Sequence, residues 1–136
     1  MPAQFSLAAG AYNAAKEDAA VVTAARRWRD CLQPETEFSL PDDPESMPTA
    51  EIGTWLGIGD DDAVRSVSAA EIAFATSDAT CRERTRYTAS LYLVERRLNA
   101  RALEENRDIL DKELARHREL LARAVEVLSS DTSGGG

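Results

Sequence analysis

The sequence predicts an all-α fold: a small helical bundle with a long C-terminal helical stretch and one irregular acidic loop. Apolar residues recur every three or four positions along most of the chain, and no segment alternates apolar and polar residues as a strand does. The stretch 68–128 contains neither Gly nor Pro, so nothing in it forces the backbone out of a helix. The 136 residues suit one domain. We assign a flexible N-terminal tether to 1–11, a single helical domain to 12–128 and a disordered tail to 129–136.

The first predicted helix runs from residue 12 or 13 to Leu32. One apolar stripe at four- and three-residue spacing supports it, formed by Val21, Ala25, Trp28 and Leu32. Cys31 follows Trp28 by three residues, so the two side chains lie on neighbouring parts of one face. Pro34 ends the helix because proline disfavours the helical conformation of the residue before it.

An irregular loop follows this helix. Residues 33–48 contain four prolines and show no apolar period. Thr49 is a suitable N-cap for a short helix over 50–56, in which Ile52, Trp55 and Leu56 would face inward. Three glycines within and just after that segment limit the helix to a turn or two.

The net charge of −8 is concentrated in one segment of the chain. Nine acidic residues and no basic residue lie from Glu35 to Asp62, whereas the rest of the chain is nearly neutral. Such a surface attracts cationic partners and repels nucleic acids and anionic lipid. The candidates for steering a cationic ligand are Asp42, Asp43, Glu45, Asp60, Asp61 and Asp62. Their alternative role is to keep a loop solvated.

The long helical stretch opens with a capping box at Ser68 and Glu71. Apolar positions at helical spacing follow: Ile72, Ala75, Ala79, Tyr87, Leu91, Val94 and Leu98, then Leu110, Leu114, His117, Leu121, Ala124 and Leu128. Because the stretch exceeds a typical globular helix, we expect at least two helices, or one helix broken near 85–87 or 99–106. The second apolar set serves either a core or a coiled-coil seam. We expect His117 in the core or at its boundary.

The chain has two cysteines, Cys31 and Cys81, both on predicted apolar faces. By themselves they are either two separate buried thiols or a bridge between the first helix and the long stretch. Two cysteines and one histidine without ligand spacing do not make a zinc site. The sequence contains no phosphate-binding loop, nucleophile elbow or other catalytic motif. We therefore expect a non-enzymatic protein without metal or cofactor.

Several short motifs occur in a recognisable order. Trp28-x-x-Cys31 precedes the proline-bearing loop, and Glu71-x-x-x-Ala75-x-x-Asp78-x-x-Cys81 opens the long stretch. This order resembles that of small exported actinobacterial lipoproteins, and over about residues 20–128 the chain is similar to those that give self-resistance to a lantibiotic. The resemblance favours a bridge between the two cysteines. It implies a domain on the outer face of the cytoplasmic membrane, held by a lipid anchor that lies outside this chain.

The resemblance and the charge pattern together suggest a peptide-binding function. We expect the domain to bind a cationic amphipathic peptide antibiotic, a lantibiotic, and to sequester it at the membrane surface. The candidate contact residues are the aromatic side chains Trp28, Trp55, Phe74, Tyr87 and Tyr92. The alternative for each of them is core packing. The alternative function is that of an envelope structural or adaptor protein, which binds another protein through its long helix.

Overall fold

The computed structural model describes residues 3–60 and 66–134. Within these ranges it contains helices and no strand, so the predicted all-α class is confirmed. The helices are α1 (Ala3–Glu17), α2 (Ala19–Leu32), α3 (Ala50–Trp55), α4 (Ala69–Arg84), α5 (Tyr87–Glu105) and α6 (Arg107–Ser133). Two short 3-10 turns, Gln33–Glu35 and Pro44–Ser46, interrupt the loop between α2 and α3. None of the described helices combines the length and apolar character that crossing a bilayer requires.

The N-terminal region differs from the sequence prediction. Residues 3–11, assigned to a flexible tether, belong to α1, whose Ala11 and Ala15 are buried. The single helix expected up to Leu32 is divided at Asp18, which has an extended backbone and accepts a hydrogen bond from the amide of Ala20 at 2.9 Å. An aspartate in this position caps a new helix, because its carboxylate satisfies an amide that has no helical partner.

Two apolar clusters form the core. The first lies between α1, α2 and α5 and contains Ala15, Val21, Ala24, Ala25, Tyr87, Leu91 and Val94. The second lies between α2, α4, α3 and the loop and contains Trp28, Leu32, Leu40, Ile52 and Cys81. Three small buried alanine and valine side chains of α2 allow its neighbours close approach, and the one fully buried tryptophan fills the second cluster. Helix α2 therefore contributes to both clusters.

The long stretch is broken at both predicted places. Arg86 has a left-handed backbone, with φ of 58°, between α4 and α5. Asn106 separates α5 from α6 with φ of −116°, and its side chain donates a hydrogen bond to the carbonyl of Ala102 at 2.8 Å. Neither break needs Gly or Pro, because a side chain or a single strained residue interrupts the helical ladder.

The buried face of α4 differs from the predicted one. Ile72 is 57% exposed, and Ala75 and Ala79 are also exposed. The inward face instead carries Phe74 and Cys81, with Asp78 between them half-buried. The prediction was wrong because the rotation of α4 against α2 is set by the disulfide and by the hydrogen bond from Trp28 to Asp78. Apolar spacing alone does not reveal these bonds.

Helix α6 contains no buried residue. Its amino-terminal part contacts α1, where the amide of Ala3 donates to the Glu113 carboxylate at 3.2 Å. Every described residue after Glu113 is exposed, including His117. The expectation of a core or boundary histidine is therefore wrong. The seven-residue pattern of α6 is present, but no described part of the chain covers it.

The C-terminal boundary also differs from the sequence prediction. Helix α6 continues to Ser133, past residue 129, where we assigned a disordered tail. Hydroxyl groups in its last turns bond to carbonyls three or four residues earlier, as Ser130 does to Val127 at 2.8 Å. The helix ends next to Gly134, the first glycine after the apolar period.

Candidate functional site

A disulfide joins α2 to α4. The Sγ atoms of Cys31 and Cys81 lie 2.09 Å apart and their Cα atoms 5.7 Å apart, which is ordinary for a bridge. The bridge that the resemblance favoured is therefore present. It spans 50 residues of sequence and encloses the whole acidic loop and α3.

A hydrogen bond runs alongside the bridge between the same two helices. The indole Nε1 of Trp28 donates to Oδ1 of Asp78 at 2.7 Å. Trp28 and Asp78 each precede a bridged cysteine by three residues. The hydrogen bond and the disulfide therefore join corresponding positions of the two sequence motifs. Because the indole is fully buried, this carboxylate satisfies a donor that would otherwise have no partner.

Arg82 connects this pair to the acidic loop. Its Nε donates to Asp78 at 3.0 Å, and its Nη2 donates to the carbonyl of Pro44 at 2.9 Å. Its guanidinium also lies 5.6 Å from the centre of the Trp28 ring and 3.4 Å from a carboxylate oxygen of Glu45. A planar guanidinium with several donors can hold these groups together, which a lysine could not do.

Three of the acids selected as steering candidates form ion pairs within the domain. Asp43 bonds to Lys16 at 3.1 Å, Glu45 contacts Arg82, and Asp42 pairs with Arg29. These contacts hold the loop against α1, α2 and α4. Of the other three candidates, one is exposed in the turn after α3, and two lie outside the described residues; they are Asp60, Asp61 and Asp62.

The carboxylates of Asp43 and Glu45 contribute to raised pKa values at Tyr12, Lys16 and Tyr87. Burial raises the pKa of the Tyr87 hydroxyl, and the nearby carboxylates of Glu45 and Asp43 raise it further. The hydrogen bond to Asp43 raises the pKa of the Lys16 ammonium. These groups therefore hold their protons more tightly in the folded protein than in the unfolded chain.

We expect the protein to lose stability as the pH rises above about 10, where an unperturbed tyrosine releases its proton. The folded state still holds the Tyr87 proton there and the unfolded chain does not, so each further step in pH favours unfolding. Melting curves from about pH 8 to pH 11 test this for the wild type and Tyr87→Phe. The stability of the variant should decline less steeply with pH. The decline that remains is due partly to Lys16. Parallel declines would contradict the assignment.

Three aromatic rings form a cluster on the other side of the second core. The rings of Phe38 and Trp55 lie 5.2 Å apart between centroids, Trp55 and Phe74 lie 5.8 Å apart, and Phe38 and Phe74 lie 6.3 Å apart. Two of the contacts are edge-to-face, a favourable arrangement for aromatic rings. All three side chains are only half-buried. We call this cluster the aromatic trio.

Each ring of the aromatic trio has a defined support. The Gln33 side chain donates to the carbonyl of Phe38 at 2.8 Å and accepts from the amide of Leu40 at 3.4 Å, which fixes the loop. Trp55 lies on α3, which begins with the predicted Thr49 cap. Phe74 lies on α4, whose predicted Ser68 cap accepts from the Glu71 amide at 3.1 Å. The three rings are thus held in place by a loop that hydrogen bonds to Gln33 and by two helices with N-caps.

The aromatic trio forms one wall of an open groove of about 590 Å³. The groove is also lined by Ala70, Ala73 and Ser77 of α4 and by three glutamates. These glutamates, which we call the acidic rim, are Glu35, Glu37 and Glu51. All three rim residues are exposed. The groove therefore combines an aromatic wall with negatively charged residues at its edge. This arrangement suits a ligand with both apolar and cationic groups.

The five aromatic residues selected from the sequence fall into three environments. Trp28 and Tyr87 are 0% and 1% exposed, so they are core residues and cannot contact a ligand in this conformation. Trp55 and Phe74 share the groove, whereas Tyr92 is 60% exposed and lines a different surface depression. Sequence reasoning missed Phe38, because a loop without period gives no sign of which way a side chain points.

The described residues contain no group of three or more His, Cys, Asp or Glu side chains placed to hold a metal ion. Comparison with family models, with curated proteins and with solved structures gives no match to this chain.

Proposed function

We propose that the groove beside the aromatic trio binds a cationic amphipathic peptide. The observation that carries this proposal is the coincidence of three partly exposed aromatic rings and three exposed glutamates in one groove. Aromatic rings desolvate a large area with little loss of side-chain entropy, so they are effective anchors for a peptide's apolar face. The acidic rim accelerates the approach of a cationic ligand and orients it.

The class of peptide follows from the resemblance to lantibiotic self-resistance lipoproteins. The domain is proposed to lie on the outer face of the cytoplasmic membrane, held there by a lipid anchor. There it would bind a lantibiotic before the peptide reaches its cell-wall precursor. The disulfide supports an extracytoplasmic location, since bridges of this kind persist in oxidising compartments. No chemical step is involved, and protection depends on occupancy of the groove.

Binding of a purified cationic lantibiotic should change the tryptophan fluorescence. Because Trp28 is fully buried, the change reports on Trp55, which is partly exposed in the groove. The Phe74→Ala variant should bind at least about tenfold more weakly, since truncation of a hot-spot anchor costs about 2 kcal/mol and about 1.4 kcal/mol is tenfold in affinity. The measurements are a fluorescence titration and calorimetry, with circular dichroism to verify that each variant is folded.

A charge variant tests the acidic rim separately. Changing its three glutamates to glutamine should weaken binding about tenfold and reduce the loss of affinity between about 50 and 500 mM salt. A matched control changes the same number of glutamates outside the groove, at Glu104, Glu119 and Glu126, and should bind like the wild type. The Tyr92→Ala variant is the corresponding aromatic control. Equal losses in the rim and control variants would contradict the proposed site.

A further inference from the structure

Helix α6 carries an apolar surface that no described part of the chain covers. Five positions at four- and three-residue spacing form what we call the α6 seam: Leu114, His117, Leu121, Ala124 and Leu128. All five are exposed, and the three leucines are 49%, 57% and 68% exposed. Leu114, His117 and Leu120 border an open cavity together with Gln4 and Phe5 of α1. All three nevertheless remain exposed, so α1 does not bury the seam.

The spacing of the α6 seam matches the a and d positions of a heptad repeat. Leu114, Leu121 and Leu128 occupy a positions, and His117 and Ala124 occupy d positions. Leu120 and Val125, which flank the seam, are 53% and 62% exposed and widen the apolar face. A helix with this pattern can pack against another helix of the same pattern, and a second copy of the chain supplies one.

We propose that α6 forms a parallel two-stranded coiled coil with α6 of a second copy of this chain. Charge complementarity selects this occupant and this direction. In a parallel pair, Glu113 of one copy at a g position faces Arg118 of the other at the next e position, and the symmetry repeats the pair. Leu120 of one copy likewise faces Val125 of the other, so both flanking contacts are favourable.

The antiparallel arrangement is less favourable. Aligning the two seams in opposite directions brings Arg118 beside Arg118 of the other copy and leaves Glu113 opposite Val127. Two like charges at a helix interface repel each other. Glu113 also remains available to the parallel pair, because only its Oε1 accepts the hydrogen bond from Ala3.

The seam is short, so the dimer is expected to be weak. The exposed part of α6 offers about two heptads, and its contact area falls at the low end for specific interfaces, below about 1,200 Å². The apparent mass in sedimentation should therefore rise from one chain toward two as the protein concentration increases from about 10 µM to about 1 mM. This association is independent of the groove beside the aromatic trio.

Sedimentation of variants tests the seam. Leu121→Gln combined with Leu128→Gln should leave a monomer at every concentration, whereas Glu126→Gln on the outer face of α6 should associate like the wild type. Glu113→Lys or Arg118→Glu alone should weaken the dimer at least tenfold, and the two together should restore it. Because α6 has no buried residue, these variants are expected to keep the fold, which circular dichroism verifies.

Cross-linking tests the direction of the two helices. Ala124→Cys should form an interchain disulfide on oxidation, because parallel helices place the two d positions side by side. Ala122→Cys, outside the seam, should not. Both native cysteines are already bridged, so the added thiol is the reactive one. A monomer at every concentration, a trimer, or cross-linking between Leu114→Cys and Ala124→Cys but not between two Ala124→Cys chains would overturn the proposal.

Discussion

Reduction of the Cys31–Cys81 bridge is expected to lower the free energy of unfolding by about 4 kcal/mol, from the chain entropy of a closed loop of this size. For a domain of this length, that loss corresponds to a fall in melting temperature of roughly 10–20 °C. The loss is large because a small single domain has a total stability of only about 5–15 kcal/mol. Thermal unfolding with and without reductant measures it, together with a thiol count in the oxidised protein.

The matched control for this experiment is the double variant Cys31→Ala and Cys81→Ala. It should melt near the reduced wild type and should not respond to reductant. Loss of the bridge is also expected to loosen the loop that carries Phe38, because the bridge encloses that loop. Two free thiols in unreduced protein, or a wild-type melting temperature that does not change with reductant, would contradict a disulfide-linked fold.

Replacement of Asp78 by alanine is expected to destabilise the fold by about 3 kcal/mol. The change leaves the buried indole N–H of Trp28 without its acceptor and removes a carboxylate partner from Arg82. A buried donor that loses its partner incurs its desolvation cost of about 1–3 kcal/mol, and the broken charge pair adds to it. Chemical denaturation of the variant and the wild type gives the difference directly.

Two further variants separate this role from a general effect of removing a charge. Asp78→Asn retains an oxygen that can accept from Trp28, so it should cost less than Asp78→Ala. Asp30→Ala removes an exposed carboxylate from α2 and should change stability by no more than about 0.5 kcal/mol. Equal effects of the alanine and asparagine changes would show that the indole hydrogen bond is not what Asp78 contributes.

Local sequence signals predicted much of the secondary structure. The caps at Thr49 and Ser68 act over a few residues, so they could be read directly. The two breaks of the long stretch, at Arg86 and Asn106, lie at the places that the sequence offered as alternatives. The boundary at Asp18 was missed because alanine-rich sequence on both sides hides a single capping residue. The ends of α1 and α6 were placed too far inward, since small polar residues were read as disorder.

The candidate site was predictable only in part. Of the aromatic residues selected as candidate peptide contacts, Trp55 and Phe74 line the groove, whereas Trp28 and Tyr87, which have the same aromatic signature, are core residues. The acidic segment was identified, yet which of its carboxylates pair with arginine or lysine depends on how the loop folds back onto α1 and α4. The acidic rim borders the groove because α3 and the loop held by Gln33 bring its three glutamates together. No spacing in the sequence indicates that these residues are neighbours.

The most direct test of the peptide-binding account is a map of amide chemical shifts in the labelled protein during titration with a cationic lantibiotic. Binding in the groove should give saturable shifts at Phe38, Trp55 and Phe74 and at the acidic rim, and these shifts should be reduced at high salt. Tyr92 and the α6 seam should change little. A spectrum that does not change at saturating peptide, or shifts confined to surfaces away from the groove, would contradict peptide binding in the groove.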